Sequence, residues 1–385
     1  MSATGGLLGI AMAGVLLGLF VTSETGVSAA AQVNASVAGG LDSVACASTA
    51  NCVAVGYRAP TQSGGGGSLA EKWNGAKWSV VSSPDPSGSD GTRLYGVACT
   101  SAKSCLAVGS YFVSSSRTTL VAAEKWNGTK WSLVSAPSPS GFSTTFLGAI
   151  TCTSSTNCWA AGSSSGTSSF ATLIERWNGS KWSIVSSPSP NTAKPDVLSG
   201  VACGSASECW AVGYWFPSSD SGSLTEKWNG SKWSVVSTPS TSSGELIGDA
   251  CPGSSSCLAV GIGNNLFALG QHWNGTKWAA TTPASPSGAS TSELNAVACT
   301  GASACEIGGN YNKSGTNPPL AERWNGSKWT LQTTPAISGS VFATLGGIAC
   351  PASTDCWAAG VSNTSSGGTN PVLEKWNGKT WSLTG

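Results

Sequence analysis

LYGVACTSAKSCLAVG over residues 94–109 and, after a variable loop, EKWNGTKW over residues 124–131 decide how this chain folds. Two cysteines, Cys99 and Cys105, stand six positions apart between short apolar runs, and Gly109 closes the second run. Two tryptophans, Trp126 and Trp131, flank an Asn-Gly pair. Asn-Gly between two apolar runs is a strong hairpin signal, because both residues tolerate positive φ. Loops of two or four residues put the flanking tryptophans on one face of the hairpin, since side chains alternate along a strand. Leu120, Val121 or Ala122 upstream and Leu133 downstream extend that apolar set.

Read outward, the pattern returns seven times with a period of about 50 residues, the range of propellers and solenoids. Repeats start near residues 41, 94, 147, 198, 246, 294 and 345. The cysteine pairs are Cys46/Cys52, Cys99/Cys105, Cys152/Cys158, Cys203/Cys209, Cys251/Cys257, Cys299/Cys305 and Cys350/Cys356, which use all 14 cysteines. Each repeat reads as four strands: A is LxxVAC, B is CxAVG, C ends at the first tryptophan and D begins at the second. One four-stranded unit has no means of burying both its faces, whereas stacked units bury them. Seven complete repeats without atypical caps favour a closed ring over an open solenoid. The expected fold is all-β: a seven-bladed β-propeller of four-stranded blades over residues 41–385, with one disulfide per blade.

The repeat resembles the kelch type, in which a glycine ends the second strand and an aromatic-turn-Trp element joins the outer two. Val55-Gly56 and Trp73-Asn74-Gly75-Ala76-Lys77-Trp78 carry the resemblance. The paired glycines of kelch occur once, as Gly308-Gly309, and the cysteine pair is foreign to it. The chain is more similar to Trp- and Cys-rich propeller-like repeats of secreted bacterial proteins. That resemblance implies a fold and no particular activity.

Residues 7–21 (LLGIAMAGVLLGLFV) are uncharged and apolar. With the small residues Val27-Ser28-Ala29 and Ala29-Ala30-Ala31 behind them, residues 1–31 read as an export signal or a retained anchor, and 32–40 as a short linker. Export places the chain in an oxidising space, outside the cell or at its surface, where a cross-strand disulfide persists. Each small loop contributes about 2 kcal/mol in the chain-entropy picture. Five-residue gaps match no zinc spacing, so no metal or other cofactor is expected.

Charged residues are 10% of the chain and the net charge is +1, which gives nucleic acid and anionic membranes no basic surface. The one histidine, His272, stands where the repeat has Lys or Arg, so neither a Ser-His-Asp triad nor a copper site is expected, and the five arginines are scattered. No catalytic residue is assigned. Two recurrent sets read as structural. The tryptophans at both hairpin positions read as core. Glu71, Glu124, Glu175, Glu226, Glu322 and Glu374, with Gln271 in repeat 5, read as ion pairs to Lys77, Lys130 or Arg176 of the same blade. Asn127, Asn178, Asn229, Asn274 and Asn325 fall in glycosylation sequons that the turn alone explains.

The A–B and C–D hairpins share one end of each blade and hardly vary. The B–C and D–A connections share the other end and vary throughout. Binding residues concentrate on variable loops held by a rigid frame. Tyr57, Tyr111, Tyr214, Trp215 and Tyr311, just past the glycine of strand B, are the candidate ligand contacts. The expected role is a monomeric, non-enzymatic binding module for an extracellular glycan, cell-envelope polymer or protein. A structural or adhesive scaffold and a polysaccharide hydrolase or lyase are the alternatives.

Overall fold

Each repeat folds into four antiparallel strands paired A–B–C–D. In repeat 1 these are Gly39–Ser48, Asn51–Arg58, Ser68–Trp73 and Trp78–Val81. The computed structural model describes residues 37–60, 66–190, 194–216, 221–239 and 243–384, so the export segment lies outside the described residues. These contain 28 strands, and no helix long and apolar enough to cross a membrane. Hydrogen bonding divides the strands into six sheets. Five have four strands, and one has eight, because Thr119 of repeat 2 pairs in parallel with Thr144 of repeat 3.

All seven cysteine pairs are bonded within their own repeats and no free cysteine remains. Their Cα atoms lie 3.9–4.1 Å apart, closer than the usual lower bound of about 4.4 Å. The reason is register: Cys46 stands directly opposite Cys52, and Cys99 opposite Cys105. The sequence reading treated the two cysteines of a pair alike, as ends of a staple, and the structure separates them. The second of each pair, Cys52, Cys105, Cys158, Cys209, Cys257, Cys305 or Cys356, is buried, whereas the first is only half-buried. Each of these seven buried sulfurs belongs to a different apolar cluster. The cause is position, since the second cysteine opens strand B, which is covered by strands on both sides. Across that pairing it stands opposite the first tryptophan of its own repeat, as in Cys158 against Trp177, Cys209 against Trp228, Cys257 against Trp273, Cys305 against Trp324 and Cys356 against Trp376. The bridges are thus core packing as well as staples.

Strand A also carries a bulge directly after its leucine, which leaves Asp42 and Tyr95 out of the ladder in repeats 1 and 2. The bulge explains the glycine of strand B. A Cβ on Gly56 or Gly109 would collide with the carbonyl oxygen of Gly40 or Arg93, the residue before that leucine.

The tryptophan pair of each repeat is directly opposed across its hairpin, Trp126 against Trp131. It packs against the preceding repeat, which buries the pairs of repeats 2 to 7 and leaves Trp73 and Trp78 half-buried. Trp159 of repeat 3 lies 4.7 Å from Trp228 and 5.3 Å from Trp233 of repeat 4. Trp210 meets Trp273 and Trp278 of repeat 5 in the same way. Val53, Leu106 and Leu258 hold the equivalent place in repeats 1, 2 and 5. The last repeat treats the first as its successor: Trp357 stands 4.7 Å from Trp73 and 5.1 Å from Trp78. The array is therefore closed. Leu133 is 45% exposed on the outer strand and does not join the buried set expected of it.

The repeated glutamates differ more sharply from expectation. Among the described residues they make no ion pairs. In four repeats the lysine beside the glutamate reaches instead over the next repeat's tryptophan, as Lys72 does over Trp126 at 5.2 Å and Lys375 over Trp73 at 5.5 Å, while Arg176 stacks on Trp159 of its own repeat and Arg323 pairs with Glu306. The glutamates themselves are fully buried. The Ser/Pro-rich segment of the preceding repeat hydrogen-bonds some of them: Ser83 Oγ donates to Glu124 at 2.8 Å, Ser187 Oγ to Glu226 at 2.9 Å, and the Ala284 N–H to Glu322 at 2.8 Å. Repeat 2 has Ala136 where repeat 1 has Ser83, and both carboxyl oxygens of Glu175 lack a partner. Burial pushes Glu71 and Glu322 up to about 7, and Glu124, Glu175, Glu226 and Glu374 up to about 8. Burial favours the neutral acid at these positions, and the neutral Gln271 stands in the same place in repeat 5.

The sign of the pH dependence follows. A carboxyl raised on folding stabilises nothing by ionising; the unfolded chain ionises first, near 4.5, and is favoured as pH rises from there to about 8. Thermal stability should be highest near pH 4 to 5 and decline up to about pH 8. Glu175→Gln should leave the acid-side melting temperature unchanged and raise stability at pH 8 by about 1 kcal/mol or more. Calorimetric melts across this range check both; a flat profile would refute the neutral-acid assignment.

Candidate functional site

The two ends of the repeats differ in how much hydrogen bonding they leave open. At the A–B/C–D end the turns satisfy themselves. Asn74 Oδ1 accepts from the backbone N–H groups of Ala76 at 2.9 Å and Lys77 at 3.0 Å, and Gly75 takes φ 94°. Trp73 Nε1 donates to Thr49 O at 3.1 Å, tying the C–D turn to the A–B turn. Trp126 and Trp177 do the same with Ala102 and Ser155. The Asn-Gly turn recurs in every repeat, although Nε1 of Trp273, Trp324 and Trp376 lacks the partner found in the first three.

The five candidate rings all lie at the opposite end, on two different faces of their strands. Tyr111, Trp215 and Tyr311, two residues past the glycine, are half-buried against the apolar clusters of their blades. Trp215 presses on Gly222, where a Cβ would come within 2.6 Å of its Nε1. Tyr57 and Tyr214, one residue past the glycine, face the inner strand of the next repeat. Tyr57 lies beneath the Arg93 guanidinium at 4.4 Å, and Tyr214 packs edge-on against Phe216 at 5.6 Å. Tyr57 and Tyr311 line separate cavities.

The bulged residues converge. The residue after the leucine of strand A is Asp42, Tyr95, Gly148, Ser199, Ile247, Asn295 or Gly346, and all seven line one central channel of about 190 Å³. Bulges re-aim a side chain in this way. At the mouth of the channel, Arg93 donates from Nε and Nη2 to the two oxygens of Asp42, at 2.7 and 2.6 Å. Its guanidinium lies between Tyr57 and Tyr95, the latter at 5.1 Å. Burial raises the Asp42 carboxyl above its usual value, and Arg93 pulls it back. Burial also opposes the charge on Arg93, but Asp42 outweighs it and the net shift is upward. Beside this pair is a cavity of about 340 Å³ lined by Tyr57, Arg58, Arg93, Tyr95 and Phe112. The arginines are therefore less scattered than the sequence suggests, for repeats 1 and 2 bring Arg58 and Arg93 together.

Three and four repeats further on, Glu245 and Glu293 occupy the position of Arg93, immediately before the leucine. Burial raises both carboxyls, and Glu245 raises Glu293 further. Asp249 takes the place of the inner-strand valine in repeat 5 and packs onto Gly200. Burial holds it well above the carboxylate range, against the opposing Ala202 backbone amide. Asp42, Arg93, Tyr95, Glu245 and Glu293 escape a reading that weighs only loops. Their signal is that they flank an unvarying leucine and differ in chemistry from repeat to repeat. Among the described residues, no group of three His, Cys, Asp or Glu side chains could hold a metal ion.

No protein-family model matches the sequence, and no curated protein does. Solved structures match in fold. An ulvan lyase of a polysaccharide lyase family, bound to -[GlcA(1-4)Rha3S]-, is 11% identical with a TM-score of 0.56, over 92% of this chain and 98% of that one. YCF48 bound to a D1 peptide is 14% identical with a TM-score of 0.54, over 90% and 96%. YCF48 from Cyanidioschyzon merolae is also 14% identical with a TM-score of 0.54, over 91% and 99%. At these identities the likeness is one of architecture. The chain is a β-propeller.

The Asp42–Arg93 pair has a testable weight. Arg93→Ala should leave the mostly buried Asp42 without its partner and lower stability by about 1 kcal/mol or more, discounted for the exposed side of Arg93. Adding Asp42→Asn should recover most of the loss. Denaturant titration of the single and double variants measures this; equal stability of Arg93→Ala and the parent would show the pair to be inert.

Proposed function

We infer that this is a secreted, kelch-like propeller of seven blades that binds an extracellular glycan, cell-envelope polymer or protein without transforming it. The Tyr57–Arg93–Tyr95 stack at the channel mouth carries the reading. It is an amphipathic surface, pre-organised by Asp42, at the end where the repeats vary. Aromatic faces beside fixed polar donors suit sugar rings and protein hot spots alike. Seven disulfides and a leading apolar segment suit export to an oxidising compartment, with residues 1–31 as signal or anchor. The blade count of seven takes the eight-stranded sheet as two blades, since a single parallel pairing joins its halves. Of the five loop aromatics, Tyr57 and Tyr214 are the leading contacts. Tyr111, Trp215 and Tyr311 support them from the blade edges.

A catalytic reading has one observation in its favour, the Glu245–Glu293 pair at the same mouth. Paired carboxyls of raised pKa are a proton-donor arrangement. New reducing ends or unsaturated products on incubation with polysaccharides would favour it.

The binding reading is tested by a polysaccharide pull-down and glycan array with the secreted protein. Tyr57→Ala should weaken retention by at least fivefold, about 1 kcal/mol, with little change in melting temperature. Trp126→Ala should instead cost several kcal/mol of stability. Loss of fold in Tyr57→Ala, or unchanged retention, would reassign the ring to packing. Solution scattering should report a compact monomeric disk.

A further inference from the structure

We propose that the cavity between repeats 1 and 2 is a subsite for an acidic sugar residue, carrying a carboxylate or sulfate, held by Arg58 and Arg93 and stacked on Tyr57 and Phe112. The proposal rests on the binding reading above and narrows it to one ligand chemistry.

Donors and acceptors at this mouth are unbalanced. The two carboxylates there are already engaged. Both oxygens of Asp42 accept from Arg93, and Asp90 Oδ2 accepts from the Ser114 N–H at 2.7 Å. The donors are not used up. Arg93 commits Nε and Nη2 to Asp42, and its side chain remains 42% exposed. Arg58 is exposed on the same wall. The guanidinium donors left over outnumber the one carboxylate, the exposed Asp90, that lines the cavity beside them. Guanidinium forks pair best with planar or tetrahedral oxyanions.

The apolar half of the cavity points the same way. Phe112 is 42% exposed at its rim, although it sits next to the half-buried Tyr111. A sugar ring laid on Phe112 and Tyr57 would cover that surface. The volume, about 340 Å³, is at the small end of ligand pockets and suits one or two sugar residues. Arg93 needs no reorganisation to act, since Asp42 and the two tyrosines already fix it, and pre-organisation lowers the cost of binding. Across the mouth, Glu245 and Glu293 repel an anion, so the acidic group is directed to repeats 1 and 2 alone.

The test is an array of carboxylated and sulfated oligosaccharides printed beside their carboxyl-reduced and desulfated forms, probed with the parent protein, Arg58→Gln and Phe112→Ala. The acidic spots should be retained, their neutral counterparts should bind at least tenfold more weakly, and retention should fall as salt rises. Carboxylated and sulfated spots separate the two sources of charge. Arg58→Gln should cut retention at least tenfold with an unchanged melting curve, and Phe112→Ala should weaken acidic and neutral forms together. Equal binding of acidic and neutral forms would overturn the acidic subsite and leave the binding reading standing. Acidic binding untouched by Arg58→Gln would overturn its placement in this cavity. Binding to no sugar on the array would overturn the acidic subsite and leave the binding reading with a protein as its ligand.

Discussion

Two indoles on every repeat lie on one face of an outer hairpin, and their own repeat has nothing to cover them with. For six of the seven pairs the strand-B side chain just after the second cysteine of the preceding repeat does it: Val53, Leu106, Leu258, or a third indole, Trp159, Trp210 or Trp357; in repeat 6 that place is taken by Glu306, and Trp376 and Trp381 pack with Ala296 and Ala321 of that repeat instead. Each large aromatic pair removes much apolar surface from water on contact. Burial is thus a debt passed from one repeat to the next, discharged only when the last repeat meets the first. The lysine over the following tryptophan in four of the repeats and the buried glutamate against the preceding Ser/Pro segment act across the same seams. The disulfides are closed within a repeat instead. They hold each A–B hairpin in register before any seam exists.

Most of this was legible in the residues because it is local or periodic. The Asn-Gly turn, the cysteine spacing and the tryptophan parity are properties of one repeat, and seven copies made them unmistakable. The depth of the bridges was not legible, because spacing pairs Cys158 with Cys152 without saying that strand B is the covered one. The glutamates were misread because their chemistry is not local. A repeated Lys or Arg of the same blade, such as Lys77, Lys130 or Arg176, suggested an ion pair, yet the glutamate side chain turns toward the neighbouring repeat. Glu124 then meets Ser83 of the preceding repeat, a partner 41 residues away. No spacing rule within a repeat announces that contact.

The channel mouth was half legible. Tyr57 was found as a ring past a glycine. Arg93 and Asp42, which fix it, lie 36 positions ahead and 15 behind, and only comparison of the positions flanking the leucine across repeats singles them out. At Asp42 the physical cause is the bulge. It takes the residue after the leucine out of the ladder and aims it at the channel, so chemistry there is free of packing. Asp, Tyr, Gly, Ser, Ile and Asn all occupy that position across the repeats, while the leucine before it never changes.

The seam between Trp357 and Trp73 has a consequence in time. A chain made from its N-terminus delivers the first repeat long before the last. Trp73 and Trp78 therefore wait, with their face unclaimed, through the synthesis of some three hundred residues. Every other indole pair is made after its cover; this one precedes it. The nascent protein is stickiest at its leading edge, and the final repeat acts as the clasp that ends its exposure.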